Sequence, residues 1–149
     1  YKLCWCPKGR GVKESCGESN QFTVYMGSLK IIGPEPNQQM FCYAGKACYF
    51  TDLQGRALQK SDRVMVLTDC ISGGATVPGY PGSGIAETDD GANFAFLENP
   101  AQPIYAAPGV SHLCWCRPDS KSGEDCTEPS SFRAEAGFLG VRGPFASTA

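Results

Sequence analysis

Histidine is nearly absent from this chain. His112 is the only one in 149 residues, and no Ser or Cys nucleophile motif lies beside it, so it reads as a surface or strand residue. Gly-x-Ser-x-Gly and His-Glu-x-x-His do not occur, and Gly73-Gly74 and Gly82-Ser83-Gly84 lack the lysine and following helix of a phosphate loop. The adjacent Asp89 and Asp90 sit in a Gly-rich stretch, where neighbouring carboxylates make poor general acid/base partners. The expectation is a protein that is not an enzyme and that uses no cofactor. A basic field is also lacking: the net charge is -2 and the pI near 5.4, which argues against a nucleic-acid partner. No run of eighteen or more apolar residues exists, so no membrane span is expected. No signal peptide is visible and the first residue is Tyr1 rather than Met, which reads as a processed or excerpted chain. Asn20, Asn37, Asn93 and Asn99 all fail the Asn-x-Ser/Thr rule, so any glycan would be O-linked.

What the chain does have is nine cysteines, 18 glycines and 11 prolines. That composition suits a loop-rich fold stapled by disulfides in an oxidising compartment, hence an extracellular or cell-surface setting. Zinc would require C-x2-C or paired histidines. The spacings here are C-x-C, C-x5-C and C-x9-C, which favour disulfides over metal.

An internal repeat organises the chain. Tyr1–Pro34 aligns with Ser111–Pro144 at a constant offset of 110, without a gap, and 12 of the 34 positions are identical. Leu3-Cys4-Trp5-Cys6 matches Leu113-Cys114-Trp115-Cys116. Glu14, Cys16, Glu18, Phe22, Gly27, Leu29 and Gly33-Pro34 match Glu124, Cys126, Glu128, Phe132, Gly137, Leu139 and Gly143-Pro144. A period of this length suits an immunoglobulin-sized sandwich rather than a solenoid. Residues 1–32 therefore read as the closing segment of a preceding repeat, or connector strands, and residues 33–149 as a complete repeat.

Cysteine parity agrees with that division. Cys42, Cys48, Cys70, Cys114, Cys116 and Cys126 form an even set, while Cys4, Cys6 and Cys16 form an odd one. Either one thiol is free, or a symmetric dimer bridge forms, or the missing partner lay upstream in a longer chain. The third is favoured, because the leading segment lacks a partner of the Cys70 type. Spacing suggests Cys42 with Cys48, Cys70 with Cys114 or Cys116, and the other of those two with Cys126, although six cysteines allow fifteen connectivities.

Strand signals dominate and helix signals are nearly absent. Phe22–Met26 and Leu29–Ile32 read as one broken strand or two short ones. Met40–Tyr43 and Ala47–Thr51 read as a hairpin turning at Ala44-Gly45-Lys46, and Arg63–Thr68 as a buried strand leading to Cys70. Asn93–Leu97 alternates, with Phe94 and Phe96 on one face, and Pro103–Ala107 leads into Ser111–Cys116. Residues i and i+2 of a strand share a face, so Cys114 and Cys116 point one way and Trp115 the other. Ile71–Ala92 reads as a long irregular segment: an idle loop, a partner contact, or a place for O-linked sugar on Ser72, Thr76, Pro78, Pro81 or Ser83. Glu87, Asp89 and Asp90 could ligate calcium but lack the alternating spacing of a dedicated loop. Trp5 and Trp115 could stack on sugars, but occurring in both copies they suit a packed structural role better.

Three stretches carry a family resemblance: Tyr1–Cys6, Ala107–Cys116, and Cys42–Cys48 continuing through Gly55-Arg-Ala-Leu58 and Asp62 to Cys70. The chain resembles the tandem Ig-like (IPT/TIG-type) cysteine-rich repeats of large secreted surface or fibre proteins, mastigoneme-like, of protists and algae. It departs where Ser111 and His112 stand against Tyr1 and Lys2 of the first copy. The resemblance implies an all-β, Ig-like antiparallel sandwich, a fibre or cell-coat role, frequent glycosylation and no catalytic residues. The expected function is a structural subunit of an extracellular filament or coat, assembling head to tail with copies of itself or adjacent repeats. Phe22, Val24, Leu29 and Ile31 form its assembly segment, since these apolar strands need a neighbour. The alternative is a secreted carbohydrate-binding or adhesion module with an aromatic platform near Tyr80 or Trp115.

Overall fold

The computed structural model describes residues 1–7, 16–96 and 102–144, so Glu14 and Leu97 lie outside the described residues. Regular structure is all β, apart from single 3-10 turns at Ser19–Gln21, Pro81–Gly84 and Pro129–Ser131. The chain divides into two units, Tyr1–Ile31 and Ile32–Ala149. In the first, β1 (Lys2–Trp5) pairs antiparallel with β2 (Val24–Ser28). Of the two readings, one broken strand or two short ones, a single strand ending at Ser28 is formed, and none is formed over Leu29–Ile32. Leu29 still exchanges two hydrogen bonds with Tyr1, whereas the counterpart Leu139–Arg142 is held extended by ladders on both sides.

The second unit contains β3 (Gly33–Pro34), β4 (Gln38–Tyr43), β5 (Tyr49–Phe50), β6 (Gly55–Arg56) and β7 (Arg63–Leu67). It continues with β8 (Ile85–Thr88), β9 (Phe94–Ala95), β10 (Gly109–Cys116) and β11 (Ala134–Arg142). Seven of these form one sheet in the order β4-β11-β10-β7-β8-β9-β5, while β3 and β6 pair separately. Neighbours run antiparallel except β4 and β11, which run parallel. Strands β4 and β5 stand at opposite ends of the sheet order yet follow each other in sequence. The Cys42–Cys48 bridge joins them, so the sheet rolls back on itself into a sandwich.

Strand β7 is apolar on both faces, and both faces are covered. Val64 and Val66 enter a core with Phe50, Phe94, Leu113 and Leu139. Met65 and Leu67 enter a second core with Cys70, Cys114, Cys116, Cys126 and Phe132. Alternation along β10 follows suit: Cys114 and Cys116 lie in the second core, and Trp115 packs against the first.

Ile71–Ala92 is not irregular throughout. Its second half supplies the Pro81–Gly84 turn and β8, which lies between β7 and β9 in the sheet. Four residues, Ile85-Ala-Glu-Thr, give a weak local signal. The edge of β7 makes them a strand, with Ala86 and Thr88 turned inward.

Candidate functional site: an exposed repeat hairpin

The two copies of the repeated segment pair alike along their described strands. In the first unit Lys2, Leu3, Cys4 and Trp5 stand opposite Ser28, Gly27, Tyr25 and Val24, with a bulge between Leu3 and Cys4. In the second, His112, Leu113, Cys114 and Trp115 stand opposite Phe138, Gly137, Glu135 and Ala134, with the bulge between Leu113 and Cys114. Each hairpin carries a stapled loop, Cys6–Cys16 or Cys116–Cys126, and a 3-10 turn just before the returning strand. Cys16 and Cys126 both adopt left-handed backbone, with φ of 47° and 55°.

The difference lies in the neighbours. Strand β10 has β7 on its outer side and β11 has β4, whereas β1 and β2 form a two-stranded sheet. Burial follows. Leu3 is 45% exposed and Leu113 0%, Phe22 40% and Phe132 0%, Leu29 46% and Leu139 0%. Val24, Tyr25, Met26, Ile31 and Ile32 are exposed as well. Residue types buried in one copy are thus presented to solvent in the other. Phe22, Val24, Leu29 and Ile31 all lie on this surface. Local sequence reading missed that Leu3 and Trp5 belong to it, although alignment with the buried Leu113 carried the signal.

Four disulfides join Cys6 to Cys16, Cys42 to Cys48, Cys70 to Cys114 and Cys116 to Cys126. Cys4 alone is unpaired among the described residues, and it is exposed. Its counterpart Cys114 is wholly buried and bonded to Cys70 at the end of the β7 segment.

The other candidates are used within the fold. Asp90 caps the turn between β8 and β9. Its Oδ1 accepts from the amides of Asn93 and Ala92, both at 2.8 Å, and its Oδ2 from Asn93 Nδ2 at 2.6 Å. The Asn93 and Ala92 amides and the Asn93 side chain pull its pKa down to about 2. Glu87 pairs with Arg63 at 2.7 Å across the β7–β8 ladder. Among the described residues two groups converge enough ligand atoms for a metal, Cys70 with His112 and Glu135, and Cys116 with Glu124 and Cys126, but the sulfurs of both are in disulfides. His112 Nδ1 lies 3.3 Å from Glu135 Oε2 and its ring leans on Phe138. Tyr80 is buried against Phe96, and burial pushes its phenol up to about 12. Trp115 is half-buried, so neither forms an open platform. Ser72, Thr76, Pro78 and Ser83 lie at the surface, and Pro81 is buried.

The chain is similar to cysteine repeat modular protein B of Toxoplasma gondii. Identity is 26% over 145 residues, covering 95% of this chain and 2% of that protein. No protein-family model matches the chain, and no solved structure does. Together with four disulfides, the likeness is consistent with an extracellular or surface module. The chain spans about 2% of the length of the relative it matches.

Proposed function

We propose that the chain is a structural module of an extracellular filament or surface coat. Ig-like repeats of the IPT/TIG type, about 110 residues apart as in this chain, follow one another head to tail. The observation that carries this reading is the double occurrence of one hairpin. Inside the sandwich it is covered by β7 and β4; at Tyr1–Ile31 the same apolar positions are bare. A hairpin of two strands is marginal by itself and needs a third strand or a covering layer. A second feature supports succession: Gly33-Pro34, which forms β3, directly follows the first hairpin, and Gly143-Pro144 directly follows the second. The closing hairpin of one repeat would then run straight into the opening strand of the next. Contacts of this head-to-tail kind are heterologous and extend into fibres unless a ring closes.

The proposed role is structural, not catalytic. Exposed Ser72, Thr76, Pro78 and Ser83 offer sites for O-linked sugar on the flank of the array. Electron microscopy of natively isolated material, before and after reduction, tests the reading. Rods or filaments with an axial repeat of about 35–45 Å, one sandwich length, are expected. Discrete particles with no axial repeat would overturn it in favour of a secreted binding module.

A further inference from the structure

We infer that the hairpin Tyr1–Ile31 is seated in another copy of the repeat, a segment equivalent to residues 33–108, and is bonded to it through Cys4. The partner cysteine is the one equivalent to Cys70. This deepens the tandem-array reading and rests on it. The occupied interface of the second hairpin sets each element of the inference.

The first element is the outer edge of β1. On β10 that edge carries β7 antiparallel, with Leu113 opposite Val66, Cys114 opposite Met65 and Trp115 opposite Val64. The bulge that fixes this register recurs at Leu3/Cys4. A β7-like strand on β1 therefore brings its following cysteine to Cys4, as the β7 segment brings Cys70 to Cys114. The second is the outer edge of β2. On β11 that edge carries β4 in parallel, and the fit is close: a Cβ at Gly137 would collide with the Gln38 backbone. Gly27 has the same left-handed backbone, φ 150° against 144°, with nothing within 4 Å of its would-be Cβ. The groove for a backbone is present and open. The third is Trp5. Gly33 lies over the Trp115 ring, where a Cβ would stand 3.4 Å from Cζ3. Trp5 is exposed, with room for the equivalent glycine.

A second intact copy of this chain does not fit. Its β7 already lies between β10 and β8, and its Cys70 is already bonded. The occupant is a repeat body whose own closing hairpin is Tyr1–Ile31. The bond forms by thiol–disulfide exchange with a disulfide-carrying oxidant. The Cys4 thiolate attacks the donor disulfide and expels one donor thiol. The partner thiolate then attacks Cys4 sulfur in the mixed disulfide and expels the second. Two thiols lose two protons and two electrons, and the donor disulfide is reduced to two thiols.

Disulfide mapping of the native protein by mass spectrometry, on a non-reduced digest after thiol blocking, tests this. Cys4 should be bonded to a cysteine 44 residues before it in the same polypeptide, the separation of Cys70 from Cys114. A blocked free thiol at Cys4, or a bond to a second Cys4 or to another protein, would overturn the inference. Regular rods with a free Cys4 would sink this bond alone, whereas particles without an axial repeat would sink the array reading. A recombinant check joins a copy of residues 33–110 ahead of Tyr1. The chain alone should show one reactive thiol, the extended chain none, and its Cys4→Ser variant one, with β1 amides still protected from exchange. Two reactive thiols in the extended chain would refute the bond, and unprotected β1 amides would refute the seating.

Discussion

Asp62 is wholly buried, and its carboxylate is met from three sides. Arg117 Nε donates to Oδ1 at 2.6 Å, Arg117 Nη2 to Oδ2 at 2.9 Å, and the Gln59 amide to Oδ2 at 2.9 Å. Arg117 also donates to the Ala57 carbonyl at 2.7 Å and lies over the Trp115 ring. One guanidinium therefore ties the approach to β7 to the end of β10. The hydrogen bonds that Arg117 donates to Asp62 raise the Arg117 pKa further, so the guanidinium stays charged. Arg117→Met leaves a buried carboxylate unpaired and is expected to cost about 3 kcal/mol, near the lower end for a broken buried pair because the arginine is partly solvated. Urea unfolding measures it, and a loss below about 1 kcal/mol would mean that water replaces the guanidinium. Nothing local in Lys60-Ser-Asp-Arg marks Asp62 as buried. Its partner is 55 residues away, so only the tertiary fold discloses the pair.

Hairpins are the elements in which sequence and structure can be compared most directly, because one sequence pattern occurs in two settings. The repeated Leu-Cys-Trp-Cys, the C-x9-C loop and the glycine at 27 and 137 dictate the same bulge, staple and turn in both. Such local geometry is legible because it depends on residues close in the chain. Whether Leu29–Ile32 is a strand was not legible, because strand structure there depends on ladders that the neighbours supply. Strand β8 was hidden for the same reason. A glycine substitution separates the settings. Gly27→Ala and Gly137→Ala share the strain of left-handed backbone, but only the second meets the Gln38 backbone. Gly137→Ala should cost at least about 2 kcal/mol more than Gly27→Ala, as overpacking against a fixed backbone does. Thermal melts of the two variants, side by side, check this. Equal losses would show that β4 yields to the extra methyl.

Over the whole molecule, stability is expected to be uneven. The sandwich has two buried cores and three disulfides, whereas Tyr1–Ile31 has a two-stranded sheet and one. In this chain without a preceding repeat, amides of β1 and β2 should exchange faster than those of β10 and β11 by more than about 100-fold, because few buried contacts hold them. Hydrogen exchange followed by mass spectrometry reads this, and matching rates would mean that the hairpin is stable without a covering layer. Composition, cysteine spacing and the 110-residue repeat were enough to determine an all-β, disulfide-stapled molecule with one segment used twice. They suffice because apolar alternation and loop staples act over short spans and are written in consecutive residues. Only the tertiary structure decided which copy is buried, which sulfur is left single and which carboxylate is enclosed. Those outcomes depend on which strands lie alongside, and neighbours in a sheet come from far along the chain.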